Sequence, residues 1–267
     1  MRSQPLVVFG ITGRMGQALL RALREGSQFH LHCGVASPTS SRLGQDAAAD
    51  GEATGVAVTA DSAVRLPPDS VALDFSDGGA VAAHARACSE AGVPLLVGTT
   101  GFDATTLPAL ERAAAKIPVL LAPNTSIGVA VLSKLVKQAT AALGAAYDID
   151  ILEAHHALKR DAPSGTALSL GEAAAEARGI ALEDIAVYDR HATAMPRRPG
   201  SIGFSSVRAG DIVGEHTVMF ATEGERLELT HRATDRITFA RGALRAAGWL
   251  SLQPKGLYRM ADMVGLL

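Results

Sequence analysis

Short apolar runs alternate with helical patterns through the first half of the chain. The strand candidates are residues 6–9, 29–36, 56–59, 71–76, 95–97 and 119–121. Helical periodicity follows several of them, and Asp103 is the expected N-cap of one such helix. Repeated strand–helix units predict an α/β fold with a parallel, doubly wound sheet of the Rossmann type.

The pattern changes near residue 126. A long helix to about Leu143 leads to a strand over residues 148–154, and a second helix follows Ser164, its expected N-cap. Residues 188–200 are expected to form a loop. Three strands, over residues 202–208, 215–221 and 226–231, precede a last helix that Asp235 is expected to cap. This mixture predicts a second α+β domain with a mixed or antiparallel sheet.

Composition narrows the class of protein. The 267 residues carry 25 Lys and Arg against 27 Asp and Glu, a net charge of −2, which gives no electrostatic footprint for nucleic acid or an anionic membrane. We expect no stretch to approach the length of a membrane span, and the residues after Met1 lack a signal-peptide core. Cys33 and Cys88 show no metal-ligand spacing, so we expect a reduced, cytoplasmic protein.

A glycine-rich turn follows the first strand. Strand, turn and helix in this order can cradle a pyrophosphate on the free N–H groups of the helix N-terminus. The glycines fall at positions 10, 13 and 16, a variant of the usual spacing, and a tight turn without a ligand is the alternative. The candidate cofactor-binding residues here are Gly10, Ile11, Thr12, Gly13, Arg14 and Met15.

Two further loops follow predicted strands of the same sheet. In doubly wound sheets, ligands bind outside the carboxyl ends of the strands. That rule selects Gly98, Thr99 and Thr100 after one strand, and Ala122, Pro123, Asn124 and Thr125 after another. The agreement of three small, polar loops favours a nucleotide site more strongly than any one loop does.

The end of the second strand bears on cofactor choice. An NAD site usually has an acidic residue there to hold the ribose, whereas this chain has Ala36 and Ser37. Ser37, Ser40, Ser41 and Arg42 could meet a 2′-phosphate, or they could form an ordinary polar loop. The sequence leaves NADH and NADPH both open.

Residues 153–168 concentrate side chains that can bind an anion and move a proton. Lys159 can donate a proton, His155 or His156 can donate or accept one, and Ser164, Gly165 and Thr166 open a helix N-terminus suited to a carboxylate. Adjacent His in a strand point to opposite faces, so one His could simply be packed.

Other residues of the chain have plainer interpretations. Lys159 and Arg160 could be a solvated pair. A zinc site lacks a third ligand at a usual spacing, so no metal is expected. His216 and His231 lie in strand-like runs, where a structural role is favoured.

These motifs resemble the bacterial dihydrodipicolinate reductases, which reduce 4-hydroxy-tetrahydrodipicolinate in lysine and diaminopimelate synthesis. The resemblance runs from about residue 5 to the C-terminus. It rests on five segments, residues 13–16, 98–102, 122–126, 153–167 and 207–216, of which 153–167 is the most specific.

The resemblance implies roles. His155 would be the catalytic His and Lys159 the proton donor, while His156, Ser164, Gly165 and Thr166 would bind a small dicarboxylate substrate. NADH or NADPH would supply the hydride. Residues 1–125 and 237–267 would form the dinucleotide-binding domain, and 126–236 would form the substrate domain, whose sheet would join a homotetramer.

Two departures from the family limit these expectations. Many members carry an acidic residue or an Arg where this chain has Ala36 and Ser37, and the loop at residues 191–198 lacks the expected glycine-rich form. Two other functions remain open at this point. One is a non-catalytic NAD(P)H sensor, and the other is a reductase of a different imine or semialdehyde.

Overall fold

The structure is a computed structural model that describes residues 3–61, 64–191 and 196–265. Its strands are β1 (Gln4–Phe9), β2 (Phe29–Ala36), β3 (Val58–Ala60), β4 (Val71–Asp74), β5 (Leu95–Val97), β6 (Pro118–Leu121), β7 (Asp148–His155), β8 (Ala186–Val187), β9 (Ile202–Arg208), β10 (Gly214–Thr222), β11 (Glu225–Ala233) and β12 (Gly256–Arg259). Its helices are α1 (Arg14–Arg24), α2 (Val81–Ala91), α3 (Thr106–Ala114), α4 (Ile127–Leu143), α5 (Gly165–Ala177), α6 (Leu182–Ile185), α7 (Ile237–Leu250) and α8 (Met260–Met263), with a 3₁₀ turn at Gly144–Ala146.

The predicted strands and helices are present near their expected places. One capping prediction was wrong, because α3 begins at Thr106 with Thr105 as its N-cap. Asp103 instead caps the preceding turn, where its Oδ1 accepts hydrogen bonds from the N–H and the hydroxyl of Thr105, at 2.9 and 2.6 Å. Four short elements were not predicted: β8, β12, α6 and α8.

Contacts divide the chain into two compact units. Unit 1 extends to Ser126 and resumes over Ile237–Met263, and unit 2 comprises Ile127–Arg236 with the residues from Val264 onward. Each unit has its own sheet and its own apolar core.

Unit 1 contains a parallel sheet in the order β12-β6-β5-β4-β1-β2-β3. The strand order reverses between β1 and β4, which is the point where doubly wound sheets bind nucleotides. Helices cover the sheet, so Leu6, Val7, Val8 and Phe9 of β1 are all fully buried. Burial on both faces explains why this strand is a continuous apolar run.

Unit 2 contains a mixed sheet in the order β11-β10-β7-β9-β8. Strand β10 is antiparallel to both β7 and β11, whereas β9 is parallel to β7 and β8. One face packs Ile149, Ile151, Val218 and Phe220 against residues of α4 and α5. Alternate residues face the other side and are partly or fully exposed: Asp150, Leu152, Ser205, Val207, Thr217 and Met219.

Helix α4 with the 3₁₀ turn, residues 127–146, is long and apolar enough by length and composition to cross a membrane. The expectation that no stretch approaches that length was therefore wrong for this segment. Leu132 and Val136 of the helix belong to the core of unit 2, and Lys134 donates a hydrogen bond to the carbonyl of Val264. These contacts tie one side of the helix to the rest of unit 2.

Candidate active site

Three predicted loops of unit 1 lie along one edge of its sheet. Residues 10–16, 98–101 and 122–126 follow β1, β5 and β6, and parallel strands place their carboxyl ends together. Ala36 and Ser37, at the end of β2, lie on the same edge. The structure thus brings together the unit 1 residues that the sequence selected.

The turns in these loops require glycine. Gly10 has a φ of +80°, and a Cβ placed on it would lie 2.3 Å from the carbonyl oxygen of Phe75. A Cβ on Gly16 would lie 2.3 Å from the carbonyl oxygen of Ile11, so α1 and the turn after β1 approach closely there. Gly13 is the N-cap of α1 and offers no side chain to its first turn. Ile11 is fully buried, so its side chain belongs to the core.

The second and third loops are fixed by hydrogen bonds from their own side chains. The Thr99 hydroxyl donates to Asp74 Oδ1 at 2.8 Å and accepts from the Ser76 N–H at 3.0 Å. The Thr125 hydroxyl donates to the carbonyl of Phe239 at 2.7 Å, and Asn124 Oδ1 accepts from the Ser126 N–H at 2.9 Å. Exposed positions in these loops are Thr100, Gly101 and Pro123.

The polar loop after β2 is organised by its own contacts. Arg42 Nη2 donates to the carbonyls of Asp46 and Ala48, at 2.7 and 2.9 Å. Ser37 Oγ accepts from the N–H of Thr39 at 3.3 Å. Arg42 therefore supports the loop itself, which favours the plain structural interpretation for this residue over a 2′-phosphate contact.

In unit 2, the end of β7 carries a buried carboxylate–imidazole pair. Glu153 and His155 are two residues apart in a strand, so both side chains point to the helix-covered face. His155 Nδ1 lies 2.5 Å from Glu153 Oε2. Because that nitrogen donates to the carboxylate, Nε2 is the nitrogen of His155 that is left to exchange a proton.

Arg208 completes this pair from the neighbouring strand. Its Nη1 lies 2.8 Å from Glu153 Oε2, and its Nη2 lies 2.7 Å from Glu153 Oε1. The register of β7 and β9 pairs His155 with Arg208, which places the guanidinium beside the site. Arg208 Nη2 also donates to the carbonyl of Asp161 at 2.6 Å, so it ties the loop after β7 to the carboxylate.

These contacts set the charge state of the pair. Burial acts to raise the pKa of Glu153, but hydrogen bonds from Arg208, Ser206 and His155 outweigh it and lower that pKa to about 2. Burial lowers the pKa of His155, a trend opposed by Glu153 and reinforced by the positive charges of Lys159 and Arg208. Glu153 is therefore an anion at neutral pH, and His155 favours its neutral form.

Helix α5 begins at the predicted cap. The Ser164 hydroxyl accepts from the N–H of Ala167 at 3.2 Å and lies 3.0 Å from His216 Nε2. The ring of His216 meets that of His155 edge-on, with centroids 5.1 Å apart. Burial, with the charge of His155 second, lowers the pKa of His216 to about 4, so His216 is neutral at neutral pH and shares a hydrogen bond with the serine hydroxyl.

The first turn of α5 has room above it. Within the part of the chain that the structure describes, and apart from its chain neighbours and the nearby backbone of α5, no heavy atom lies within 4 Å of the place where a Cβ on Gly165 would sit. Gly165 is exposed and Thr166 is half-buried. An open helix N-terminus next to a buried polar network suits a carboxylate ligand.

Lys159 lies in the turn that follows β7. Its Nζ donates to both oxygens of Asp161, at 2.8 and 2.7 Å, and its N–H donates to the carbonyl of His156 at 3.1 Å. The strand ends at His155, so His156 is the first residue of the turn rather than a strand residue on the opposite face. Both His are consequently part of one loop region, as the sequence allowed but did not require.

Several residues of the site were missed. Asp74, Glu153 and Arg208 received no role, although a carboxylate at the end of an apolar strand is a visible signal for the first two. His216 was given a structural role, and its buried contact with Ser164 places that role inside the site. Arg208, the charged partner of Glu153, comes from β9, and no local pattern predicts which strands are neighbours.

The loop at residues 191–198 lies only partly within the described chain, since 192–195 fall outside it. Arg197, in the described part, donates to the carbonyls of Ile149 and Ser201 and forms ion pairs with Asp148 and Asp150. Asp148, Ile149 and Asp150 lie at the start of β7, the opposite end of that strand from His155, and Ser201 directly precedes β9. Arg197 therefore supports the sheet.

Two family models match nearly the whole chain. Residues 4–125 match the model of the dihydrodipicolinate reductase N-terminus, and residues 128–264 match the model of the C-terminus of the same family. The chain belongs to the dihydrodipicolinate reductase family. Members of this family are NAD(P)H-dependent oxidoreductases that act on a small substrate, and the N-terminal domain is the one that binds the nucleotide.

Curated relatives of this chain are named 4-hydroxy-tetrahydrodipicolinate reductases. A 4-hydroxy-tetrahydrodipicolinate reductase of Anaeromyxobacter dehalogenans (strain 2CP-C) is 49% identical over 263 residues, covering 98% of this chain and 97% of the relative. One of Thiobacillus denitrificans is 48% identical over 262 residues, covering 98% of each chain. Identity at this level over nearly the full length makes the chain a reductase of lysine biosynthesis.

Solved structures support the fold. A dipicolinate-bound dihydrodipicolinate reductase from Paenisporosarcina sp. TG-14 superposes with a TM-score of 0.76 at 24% identity, covering 98% of this chain and 99% of that one. An aspartate semialdehyde dehydrogenase II from Vibrio cholerae gives a TM-score of 0.54 at 13% identity, covering 93% of this chain and 97% of that one. Since enzymes with different substrates share the fold, the fold alone does not select a substrate.

Proposed function

We propose that this chain reduces 4-hydroxy-tetrahydrodipicolinate to tetrahydrodipicolinate at the cluster formed by the end of β7 and the start of α5. One hydride and one proton enter the substrate and one water leaves, so the balance is complete. The observation that carries the proposal is the pairing of buried Glu153 and His155 beside Lys159 and the open N-terminus of α5. This set can bind a carboxylate and deliver a proton.

The dinucleotide fits the edge of the unit 1 sheet. Gly10 and Gly16 allow the chain to turn where a Cβ would collide with main-chain atoms, and α1 begins at an exposed Gly13. NADH or NADPH, when bound, supplies the hydride. We assign the pyrophosphate to residues 10–15 and the nicotinamide to residues 98–100 and 122–125, with Ala36 and Ser37 beside the adenosine ribose.

We assign proton transfer to two residues of unit 2, Lys159 and His155. We assign Lys159 as the acid that protonates the enamine carbon, since its ammonium lies at the surface of the turn next to His155. His155 presents Nε2 because Glu153 holds Nδ1. Its neutral form at neutral pH suits hydrogen bonding to the substrate ring or accepting a proton from it.

Substrate carboxylate binding is assigned to His156, Ser164, Gly165 and Thr166. The Ser164 hydroxyl caps α5 through Ala167 and shares a hydrogen bond with His216, so its contribution is to shape the turn. The N-terminus of α5 then lies beside the open space above Gly165. Positive charge from Lys159 and the helix N-terminus favours a dianionic ligand.

Unit 1 corresponds to the dinucleotide-binding domain in this proposal, and unit 2 to the substrate and oligomerisation domain. The half-exposed face of the unit 2 sheet carries Leu152, Val207 and Met219 between polar residues. An apolar sheet face of this kind fits a second copy of the chain, and we propose a homotetramer. Cytoplasmic NAD(P)H and the two free thiols, Cys33 and Cys88, fit a cytoplasmic location.

Light scattering on a sizing column tests the tetramer. Wild type should elute at four times the chain mass of 27.5 kDa. Leu152→Arg should shift the protein to a smaller species, whereas Leu107→Arg in α3 should not, although both leucines are 39% exposed. A monomeric wild type would refute the assembly, and so would a Leu152→Arg tetramer.

A coupled assay tests the reaction. Dihydrodipicolinate synthase supplies the substrate, and oxidation of NADH and NADPH is followed in parallel at 340 nm. We expect oxidation that depends on both the synthase and this chain. Nucleotide binding without oxidation would favour a sensor, and oxidation with other imines or semialdehydes alone would assign a different substrate.

A further inference from the structure

His84 is a buried residue that the reaction does not yet use. It lies near the start of α2, is 4% exposed, and stacks on Phe9 of β1 with ring centroids 3.9 Å apart and an interplanar angle of 14°. Its Nδ1 lies 2.8 Å from Asp74 Oδ2, and its Nε2 lies 3.6 Å from Asp61 Oδ2. The imidazole therefore joins a buried carboxylate to a partly exposed one.

Asp74 accepts hydrogen bonds from the loops that follow β4 and β5. Its Oδ1 accepts from the N–H and hydroxyl of Ser76, at 3.0 and 2.6 Å, and from the Thr99 hydroxyl at 2.8 Å. Its main-chain oxygen accepts from the N–H groups of Gly98 and Thr99, at 2.8 and 3.1 Å. One fully buried residue at the strand switch point thus fixes the start of residues 98–101.

The two oxygens of this carboxylate have different partners. Oδ1 serves Ser76 and Thr99, while Oδ2 accepts from His84. Burial acts to raise the pKa of Asp74, but the hydrogen bond and charge of His84 and the bonds from Ser76 lower it below its usual value. Without the donor on Oδ2, the carboxylate must rotate or take up a proton, and either change disturbs its bonds to Ser76 and Thr99.

We propose that His84 is a positioning residue for the nicotinamide end of the cofactor, acting through Asp74 on the Gly98–Thr99 main chain. This inference rests on the proposed function, because it takes the nicotinamide to lie on that loop. Gly98 adds a reason for close control of the loop, since a Cβ there would lie 2.1 Å from Cε1 of Phe75. At Gly98 the loop therefore packs directly against the ring of Phe75.

Two substitutions separate the hydrogen bond from the packing. His84→Asn keeps an amide nitrogen near the place of Nδ1 and loses the ring, whereas His84→Leu loses both the donor and the ring. Binding of NADH and of ADP-ribose, which lacks the nicotinamide, is measured by fluorescence and calorimetry. His84→Leu should weaken NADH binding about tenfold, which is the scale of one lost charge-assisted hydrogen bond. The NADH affinity of His84→Asn should stay close to that of wild type. ADP-ribose affinity should change in neither variant.

Results that contradict the positioning role of His84 differ from a result that contradicts nucleotide binding. Equal NADH affinity in His84→Leu and wild type, or an equal loss of NADH and ADP-ribose affinity in both variants, would overturn the positioning role. If His84→Leu does not fold, Ser76→Ala removes another bond to Asp74 and must show the same selective loss of NADH affinity. A wild type that binds neither ligand would overturn the nucleotide assignment itself.

Discussion

The carboxylate of Glu153 holds the ring of His155 through a 2.5 Å contact to Nδ1, and both of its oxygens are also engaged by Arg208. Burial makes this arrangement rigid, because Glu153 is 2% exposed and His155 is 9% exposed. The pair fixes the tautomer of His155 and leaves Nε2 for chemistry. Gly214 gives that nitrogen room, since a Cβ on Gly214 would lie 3.1 Å from it.

Glu153→Gln should lower turnover without loss of nucleotide affinity. The amide keeps the shape but cannot fix the imidazole tautomer, so we expect kcat to fall about 10²-fold, the lower end of the range for a general acid or base. Glu153 raises the pKa of His155, so its loss should also move the acid limb of the pH–rate profile to lower pH. Stopped assays across pH and an NADH titration measure both effects.

The matched control for this change is Glu215→Gln. Glu215 pairs with Arg232 across the neighbouring strands, but both side chains are exposed. That variant should keep the turnover and pH profile of wild type. Comparable losses in the two variants would show that the Glu153 effect is a general consequence of removing a charge from the sheet.

His216 makes the fold sensitive to mild acid. Its pKa is about 4 in the folded protein against about 6.5 in an unfolded chain, so the unfolded state binds more protons between those values. Stability should therefore be complete above pH 6.5 and decline as pH falls towards 4, with a limiting slope of about 1.4 kcal/mol per pH unit. Urea unfolding at fixed protein concentration from pH 7 to pH 4 measures this slope.

His216→Phe removes one titrating group, so it should reduce the slope of unfolding free energy against pH by up to about 1.4 kcal/mol per pH unit. A residual slope is expected from His155 and His231, because burial also lowers the pKa of each. Glu153 contributes separately, below about pH 4.5, since its pKa is lowered to about 2. An unchanged slope in His216→Phe would show that His216 is already protonated in the folded protein.

Two glycines of α5 separate substrate binding from folding. In Gly165→Ala the added methyl group meets open space, and alanine is a better helix former than glycine. The free energy of unfolding should therefore stay the same or rise by at most about 1 kcal/mol, and the melting temperature should not fall. The methyl group would occupy the proposed carboxylate site, so KM for the dicarboxylate should rise about tenfold with NADH affinity unchanged. Steady-state kinetics and thermal unfolding measure both.

Gly171→Ala is the contrasting variant in the same helix. Its Cβ would lie 2.6 Å from Cζ of Phe204, so it should destabilise unit 2 and lower the melting temperature. If Gly165→Ala leaves KM unchanged, the carboxylate does not bind over the first turn of α5.

Most of the fold could be predicted from the sequence because buried elements have a recognisable local pattern of apolar residues. Parallel strands covered on both faces, such as β1 and β5, are continuous apolar runs, and Ser164 identifies the start of α5 by its capping chemistry. Strands β8 and β12 were missed because each is short and takes its stability from a neighbour rather than from its own pattern.

The candidate site was less predictable for a related reason. His155, Lys159 and Ser164 lie within ten residues and share one visible motif. Arg208 and His216 reach Glu153 and Ser164 because β7 lies between β9 and β10, and that order depends on which strands pair. The site roles themselves stay predictions until they are measured.

The most direct test of the proposed reaction is the turnover of Lys159→Ala in the coupled assay, with its NADH dissociation constant measured on the same sample. Lys159 is 22% exposed and bonds to Asp161, which is exposed, so its removal should leave the fold intact. We predict NADH affinity equal to wild type and turnover reduced about 10²–10⁴-fold, as for loss of a general acid. Turnover within about twofold of wild type would contradict the assignment of Lys159 as the proton donor.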